Sequence, residues 1–425
     1  MSITPCQGGV ISTPAVAQTS SQAPTQKLLP ELVDHVIDHL HDDIASLATC
    51  ALVGREWTTT ARFHRFSTLK VHLQHDNYAM LGEVLSSTPE IRSLVRELWI
   101  AAPWGDDPPD PALPNMGLLT WLPVMEATEE VVLAGYVLER DGDYDYDLSP
   151  YLPSLKRLGI HKCRFGVGVL DIMSRSFPHI DTVRLLSVAR LLREPRPPRS
   201  SGSIMMPPVH LRELDVSAYD TPAYVLRHAS EWMLRHPSAE LLQTLRFQST
   251  FYCTHEAQPM LDLFGPLNLN ALYIGISAYV QPYYRDKFDV SPQTTASLER
   301  CTNLRVLSVT IQMYDLEQEW PPVLLCVQLI LQSLASPALE TLIIATRGYL
   351  GKPIPIEIIQ ELDWKAIQTA LQGKPLPNLR SIIIRGKGDL NELTATLKEK
   401  CPELYMRGLF KFASLPSQLE YDLRT

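Results

Sequence analysis

A six-residue pattern with apolar side chains at positions 1, 4 and 6 returns along most of the chain. It reads LKRLGI at Leu155, IDTVRL at Ile180, LRELDV at Leu211, LQTLRF at Leu242, LNALYI at Leu269, LRVLSV at Leu304, LETLII at Leu339 and LRSIII at Leu379. VRELWI at Val95 is an earlier copy and Glu130 to Leu133 a weaker one. Alternation at positions 4 and 6 is what a strand with one buried face requires. From Leu155 the copies start 25, 31, 31, 27, 35, 35 and 40 residues apart. Between them lie stretches of helical period: PAYVLRHASEWMLRH, VLLCVQLILQSL, DWKAIQTALQ and LNELTATLKEK. One such unit cannot bury its own leucines, whereas stacked neighbours can.

The pattern therefore predicts an α/β fold over residues 76–425: an irregular, leucine-rich-repeat-like solenoid with parallel strands side by side and helices outside. The spacing exceeds the roughly 20–29 residues usual for leucine-rich repeats, and the copies lack the Asn that closes their usual turn. A less repetitive α/β domain is thus also compatible with it. Pro- and Gly-bearing inserts at 103–115, 139–150 and 193–208 read as loops.

Residues 27–72 follow a different pattern, that of a small three-helix unit. Pro30 suits a first helical position, where its missing N–H costs nothing. Leu32, Val33, Val36, Ile37 and Leu40 form an apolar stripe, and Asp34, His35, Asp38 and His39 take the other side. Asp42 or Asp43 caps a second helix, Ile44 to Val53, with Leu47, Cys50 and Ala51 inward. A third helix surrounds Trp57, and Phe63 and Phe66 lead into an extended STLKVHL. Three short helices cannot build a large core, so part of their apolar surface is expected to pack on a partner.

Composition narrows the chemistry. Of 425 residues 45% are apolar and 20% charged, as in a folded chain able to bury a sizeable core. A formal charge of −9 is the wrong sign for coating phosphates, so nucleic acid is not an expected partner. The seven cysteines, at 6, 50, 163, 253, 301, 326 and 401, form no C-x-x-C pair. That argues against a disulfide framework or zinc knuckle and favours a reducing compartment, cytoplasm or nucleus. Residues 1–26 carry no charged side chain and no signal-length apolar run, and read as a disordered lead-in. The longest apolar stretch, Val323 to Leu334, falls short of the ~20 residues that span a bilayer.

His35 and His39 stand four apart, as metal ligands on a helix would. However, Val36 occupies the place where a zincin needs its Glu, and no third ligand motif accompanies them. No metal or cofactor is expected. No nucleophile elbow or P-loop is present either, so no enzymatic activity is expected.

Three fragments, LLPELVDHVIDHL, LATCALVGREW and ARFHRFSTLKV, together resemble an F-box of the form common among fungal proteins. Gly54 stands where Cys or Ser often follows the Val, and Thr58 to Thr60 are polar, both departures from that family. The resemblance covers about a tenth of the chain. It implies the substrate-recognition subunit of a Skp–cullin–F-box E3 ubiquitin ligase, which does no chemistry itself. The family's adaptor-facing positions map onto Leu29, Pro30, Leu32, Ile37, Leu40, Leu52, Val53 and Trp57. For Ile37 and Trp57 a place in the helical core is an equal alternative. The partners implied are the Skp adaptor, through it the cullin and RING subunits, and a protein client. The other reading is a non-catalytic repeat scaffold whose F-box-like helices act outside a ubiquitin ligase.

In a solenoid, position 5 of each cassette points to the face opposite the helices: Gly159, Arg184, Asp215, Arg246, Tyr273, Ser308, Ile343 and Ile383. Position 7 adds His161, Leu186, Ser217, Gln248, Thr310 and Arg385. Arg and Tyr are enriched at interface hot spots, which makes Arg184, Arg246 and Tyr273 the candidate client-binding residues.

Overall fold

The computed structural model describes residues 28–41, 43–72, 77–101, 122–135, 137–138, 149–165, 177, 179–186, 189–190, 210–217, 222–234, 241–277, 290–313, 321–348, 357–373, 376–386 and 389–413. The expected lead-in 1–26, the inserts 103–115 and 193–208, and all but the last two residues of 139–150 lie outside them. The chain divides into two compact units, Met1–Arg65 and Phe66–Thr425.

The first unit is built from α1 (Pro30–Asp38), α2 (Ile44–Val53) and α3 (Arg55–Ser67), whose last turn carries the boundary. Pro30 opens α1 as expected. Asp43 caps α2: its Oδ1 accepts the backbone N–H groups of Ala45 and Ser46, and its Oδ2 accepts the Ser46 hydroxyl at 2.6 Å. The Ser46 hydroxyl and amide bonds hold the Asp43 carboxyl below the ordinary carboxylate range. The core consists of Val33, Ile37, Leu47, Cys50 and Ala61, with Leu40, Ala51 and Trp57 packed against it. The polar side of α1 is not merely solvated. Asp34 accepts from the Thr60 hydroxyl at 2.6 Å, and Asp38 pairs with His64 at 2.8 Å, so both carboxylates tie α1 to α3.

The second unit is a twelve-stranded parallel sheet in sequence order. Its strands are β1 (Thr68–His72), β2 (Glu97–Ala101), β3 (Glu130–Ala134), β5 (Arg157–His161), β7 (Thr182–Leu186), β9 (Glu213–Ser217), β10 (Thr244–Thr250), β11 (Ala271–Ser277), β12 (Val306–Met313), β13 (Thr341–Gly348), β14 (Ser381–Arg385) and β15 (Phe410–Ala413). Every cassette named above is a strand of this sheet, so the α/β solenoid with parallel strands stands. β1, counted above with the helical unit, is instead the first strand of the sheet, in register with β2.

Short strands β4 (Val137–Leu138), β6 (Arg164–Phe165) and β8 (Ala189–Arg190) form a second, three-stranded parallel sheet. It accompanies the early repeats. The later repeats carry the helices α6 (Pro222–Leu234), α7 (Gln258–Phe264), α8 (Pro321–Ser333), α9 (Glu357–Gln360), α10 (Trp364–Gln372), α11 (Leu390–Lys400) and α12 (Pro402–Met406); α4 (Asn77–Ser87) and α5 (Pro89–Arg92) precede β2.

Positions 1, 4 and 6 build one continuous core, from Val71 through Leu158, Leu245 and Ile344 to Leu409. Backbone bonds climb from repeat to repeat just ahead of each strand: Gln243 N–H to Arg212 O, Asn270 to Gln243, Arg305 to Asn270 and Glu340 to Arg305, all at 2.8–2.9 Å. Backbone groups at these strand entries are thereby satisfied. Side chains reinforce the climb. Asn303 donates to Pro266 O at 3.0 Å and Asn378 to Pro337 O at 3.1 Å, each from the residue just before a cassette. Cys163 fills the ninth position of its repeat and donates to Leu133 O at 3.3 Å, the role that the usual Asn or Cys of a leucine-rich repeat occupies.

Candidate protein-binding surfaces

Two surfaces stand out, one in each unit. In the helical unit, Leu28, Leu29, Leu32, Val36, Ile44, Leu52 and Val53 are all exposed, Leu52 to 87%. Their placement follows from helical period. Val33 and Ile37 are four apart and face inward, while Leu29, Leu32 and Val36 occupy an adjacent stripe of the same helix. The expected single apolar stripe of α1 is thus two stripes, one for the core and one for solvent. At the C-terminal end of α2, Leu52 and Val53 likewise point away from Leu47 and Cys50.

Of the adaptor-facing residues expected from the resemblance, Leu29, Leu32, Leu52 and Val53 are exposed apolar side chains and Pro30 is exposed beside them. Ile37 is corrected: it is 0% exposed, closed off in the centre of the three-helix core. Leu40 and Trp57 are half-buried against that core. Val36 and Ile44 were not among the expected residues, although both are exposed. The signal for Val36 was present as an apolar residue three after the core residue Val33 and one before Ile37. His35 and His39 are exposed with their rings edge to face at 4.7 Å. Among the described residues no group of three or more His, Cys, Asp or Glu side chains is gathered as a metal site.

The second surface is the sheet face opposite the core. Unbroken register lines position 5 up in one row: Lys70, Trp99, Val132, Gly159, Arg184, Asp215, Arg246, Tyr273, Ser308, Ile343, Ile383 and Lys411. The three candidate client-binding residues are therefore near neighbours. Arg184 and Arg246 flank Asp215, and the Arg246 guanidinium lies over the Tyr273 ring at 3.9 Å.

Acids from position 3 complete the patch. Glu130 accepts from Arg157 Nε at 2.6 Å and Arg184 Nη1 at 3.1 Å, and Glu213 accepts from Arg246 Nε at 3.2 Å. The Arg184 bond crosses β5 where that strand has Gly159, so no side chain stands in the way. A Cβ there would meet Val132 Cγ2 at 3.0 Å. Gly275 does the same for a bridge from Gln248 to Gln312, since its Cβ would meet Gln312 Nε2 at 3.1 Å.

Asp215 is buried, and its carboxyl is pushed up to about 6. Burial is the main cause; Glu213 adds to it, while Arg246, Arg184 and the Ser217 hydroxyl oppose it. Beyond Tyr273 the row changes character to Ser308, Ile343 and Ile383, of which the first two are buried. The glutamates stand at position 3, which alternation alone does not single out from other polar positions of a cassette. Their signal is an acid directly before the position-4 apolar residue, Glu213 in LRELDV and Glu130 in TEEVVL.

All six described cysteines are buried and unpaired by disulfides, and burial pushes Cys253, Cys326 and Cys401 to about 11 and Cys301 to about 12. No helix among the described residues is long and apolar enough to cross a membrane.

Fold and surfaces together define a repeat scaffold of the leucine-rich-repeat-like class with a three-helix unit ahead of it. No protein-family model matches the chain, and no curated protein matches it. Among solved structures it is similar to an internalin from Listeria monocytogenes at 13% identity, covering 81% of this chain and 94% of that one, with a TM-score of 0.24. The assignment of class rests on the sheet itself.

Proposed function

We propose that the chain is a non-catalytic substrate receptor. In this reading its helical unit docks the Skp adaptor of a Skp–cullin–F-box ubiquitin ligase, and its sheet face holds a protein client. The observation that carries the reading is the exposed apolar surface of α1 and α2, formed by Leu29, Leu32, Val36, Leu52 and Val53. So much apolar surface on so small a unit is the mark of an interface. The resemblance of this stretch to an F-box supplies the identity of the partner. The function would then be one of effective concentration: a client held near the ligase meets its ubiquitin donor as if in one molecule.

The test is co-purification of the full chain with purified Skp adaptor and cullin, comparing wild type with the Leu29→Ala/Pro30→Ala double variant and with Leu52→Glu. Capture by wild type and loss in both variants is the expected result. A wild-type chain that captures no Skp adaptor refutes the ligase reading.

A further inference from the structure

We propose that the Arg184–Arg246 pair is a docking site for side-chain carboxylates of an acidic client segment. This rests on the reading of the sheet face as the client surface and names the chemistry it selects. Each guanidinium has five N–H donors in a planar fork. Arg184 gives one hydrogen bond, to Glu130, and Arg246 one, to Glu213, and neither donates to any other acceptor among the described residues. Both side chains are accessible, at 23% and 36%; Glu130 retains 12% and Asp215 is buried, while Glu213, bonded to Arg246, retains 27%. An approaching partner therefore meets the two guanidinium groups with Glu130 and Asp215 lying deeper, and Glu213 beside them already engaged by Arg246. Tyr273 stiffens the arrangement, because Arg246 is already stacked on its ring.

The sign and size of the incoming charge follow from that layering. A cation would face the two arginines, and the one accessible acid of the patch, Glu213, is already engaged by Arg246. A phosphate would bring about two negative charges toward Glu130, Glu213 and Asp215. A carboxylate brings one, and fits the guanidinium fork in the bidentate manner. Arg184 and Arg246 are rooted two strands apart, roughly 10 Å at ordinary strand spacing, so two acidic side chains of one segment can be held at once. Asp215 lies between them, and its charge opposes the incoming anion. The groups facing Asp215 are Arg184 on β7, Glu213 and Ser217 on β9, and Arg246 on β10. Binding is thus expected to strengthen when Asp215 takes up a proton.

The test uses the full chain and a fluorescent peptide of alternating Glu and Gly, read by anisotropy at low salt. Peptides with Gln or phosphoserine in place of Glu are the comparison arms. The Glu peptide is expected to bind and the Gln peptide not. Each arginine-to-alanine change should weaken binding about tenfold. Asp215→Asn should tighten it severalfold, and should abolish the gain that wild type shows as pH falls toward about 6. If Arg184→Ala/Arg246→Ala fails to fold, Arg184→Lys/Arg246→Lys keeps the charges and removes the fork, and partial loss is expected.

Equal binding of Glu and Gln peptides overturns the proposal, as does wild-type affinity in the double variant. Tighter binding of phosphoserine overturns the carboxylate assignment. The measurement involves no adaptor. Adaptor capture without peptide binding sinks this proposal alone, and the reverse outcome sinks the ligase reading alone.

Discussion

Leucines of the sheet cassettes and those at the outer ends of α1 and α2 have opposite fates. In the repeat unit, cassette residues such as Leu245, Leu272, Leu307 and Ile344 are completely buried. In the helical unit, Leu29, Leu32 and Leu52 are half exposed or more. The difference is one of neighbours. A strand inside the sheet has a strand on each side and, in the later repeats, a helix against its inner face. A helix in a three-helix unit has only two companions, which cover one stripe of it. Apolar surface beyond that stripe contributes nothing to folding the unit, and its retention is the argument for a partner.

The comparison is broken most sharply from the repeat side. Leu307→Ala, in the middle of the sheet, should cost about 2–5 kcal/mol, seen as a lower urea midpoint of the repeat unit. If it costs no more than Leu52→Ala, the distinction between the two leucines is wrong. Ile37→Ala should be nearly as costly, about 2–4 kcal/mol, but confined to the helical unit. The part of the helical circular dichroism that α1 to α3 supply would be lost early, while exchange protection of β10 to β13 remained. Loss of both together would mean that the units do not fold separately.

Asp215→Asn probes a buried charge rather than a buried methylene. The folded Asp215 titrates near 6, above its ordinary value of 3.8. The native state thus holds the proton more tightly than the unfolded one, and stability falls as pH rises between those two values. Above that window wild type carries the full penalty, at most about 3 kcal/mol, and Asp215→Asn should be more stable by up to that amount. Below it the two should converge. Thermal unfolding at several pH values checks this, and a constant difference across the range would assign the effect to something other than titration. The smallest effect belongs to the exposed side: Leu52→Glu should change stability by less than about 0.5 kcal/mol while removing adaptor capture. A large loss of stability would place Leu52 in the core after all.

Sequence alone made the repeat unit legible because parallel strands buried on one face repeat a fixed hydrophobic register. Eight cassettes from Leu155 to Ile384 fall on strands, with position 5 facing away from the core. The end strands were harder to read. β15 has only Phe410 and Phe412 on one side, and β1 follows a helix without a break, so neither shows the full cassette. For Ile37 the sequence leaves core and interface equal, because α1 has more apolar residues than one face can use and periodicity cannot say which stripe is inside. The Arg–Glu bridges were invisible for another reason. Arg184 and Glu130 are 54 residues apart, and only the register of three strands brings them together.

The lining up of position 5 across strands separated by anything from 25 to 40 residues sets chain length apart from spatial address. Whatever the length of chain between cassettes, each strand still presents its residue one strand-width from the last. Such a face can be edited like a line of type. One letter can be changed without moving its neighbours, whereas deleting a whole unit brings residues together that were never adjacent. A shortened chain lacking the β9 repeat would set Arg184 directly beside Arg246, with no acid between two like charges.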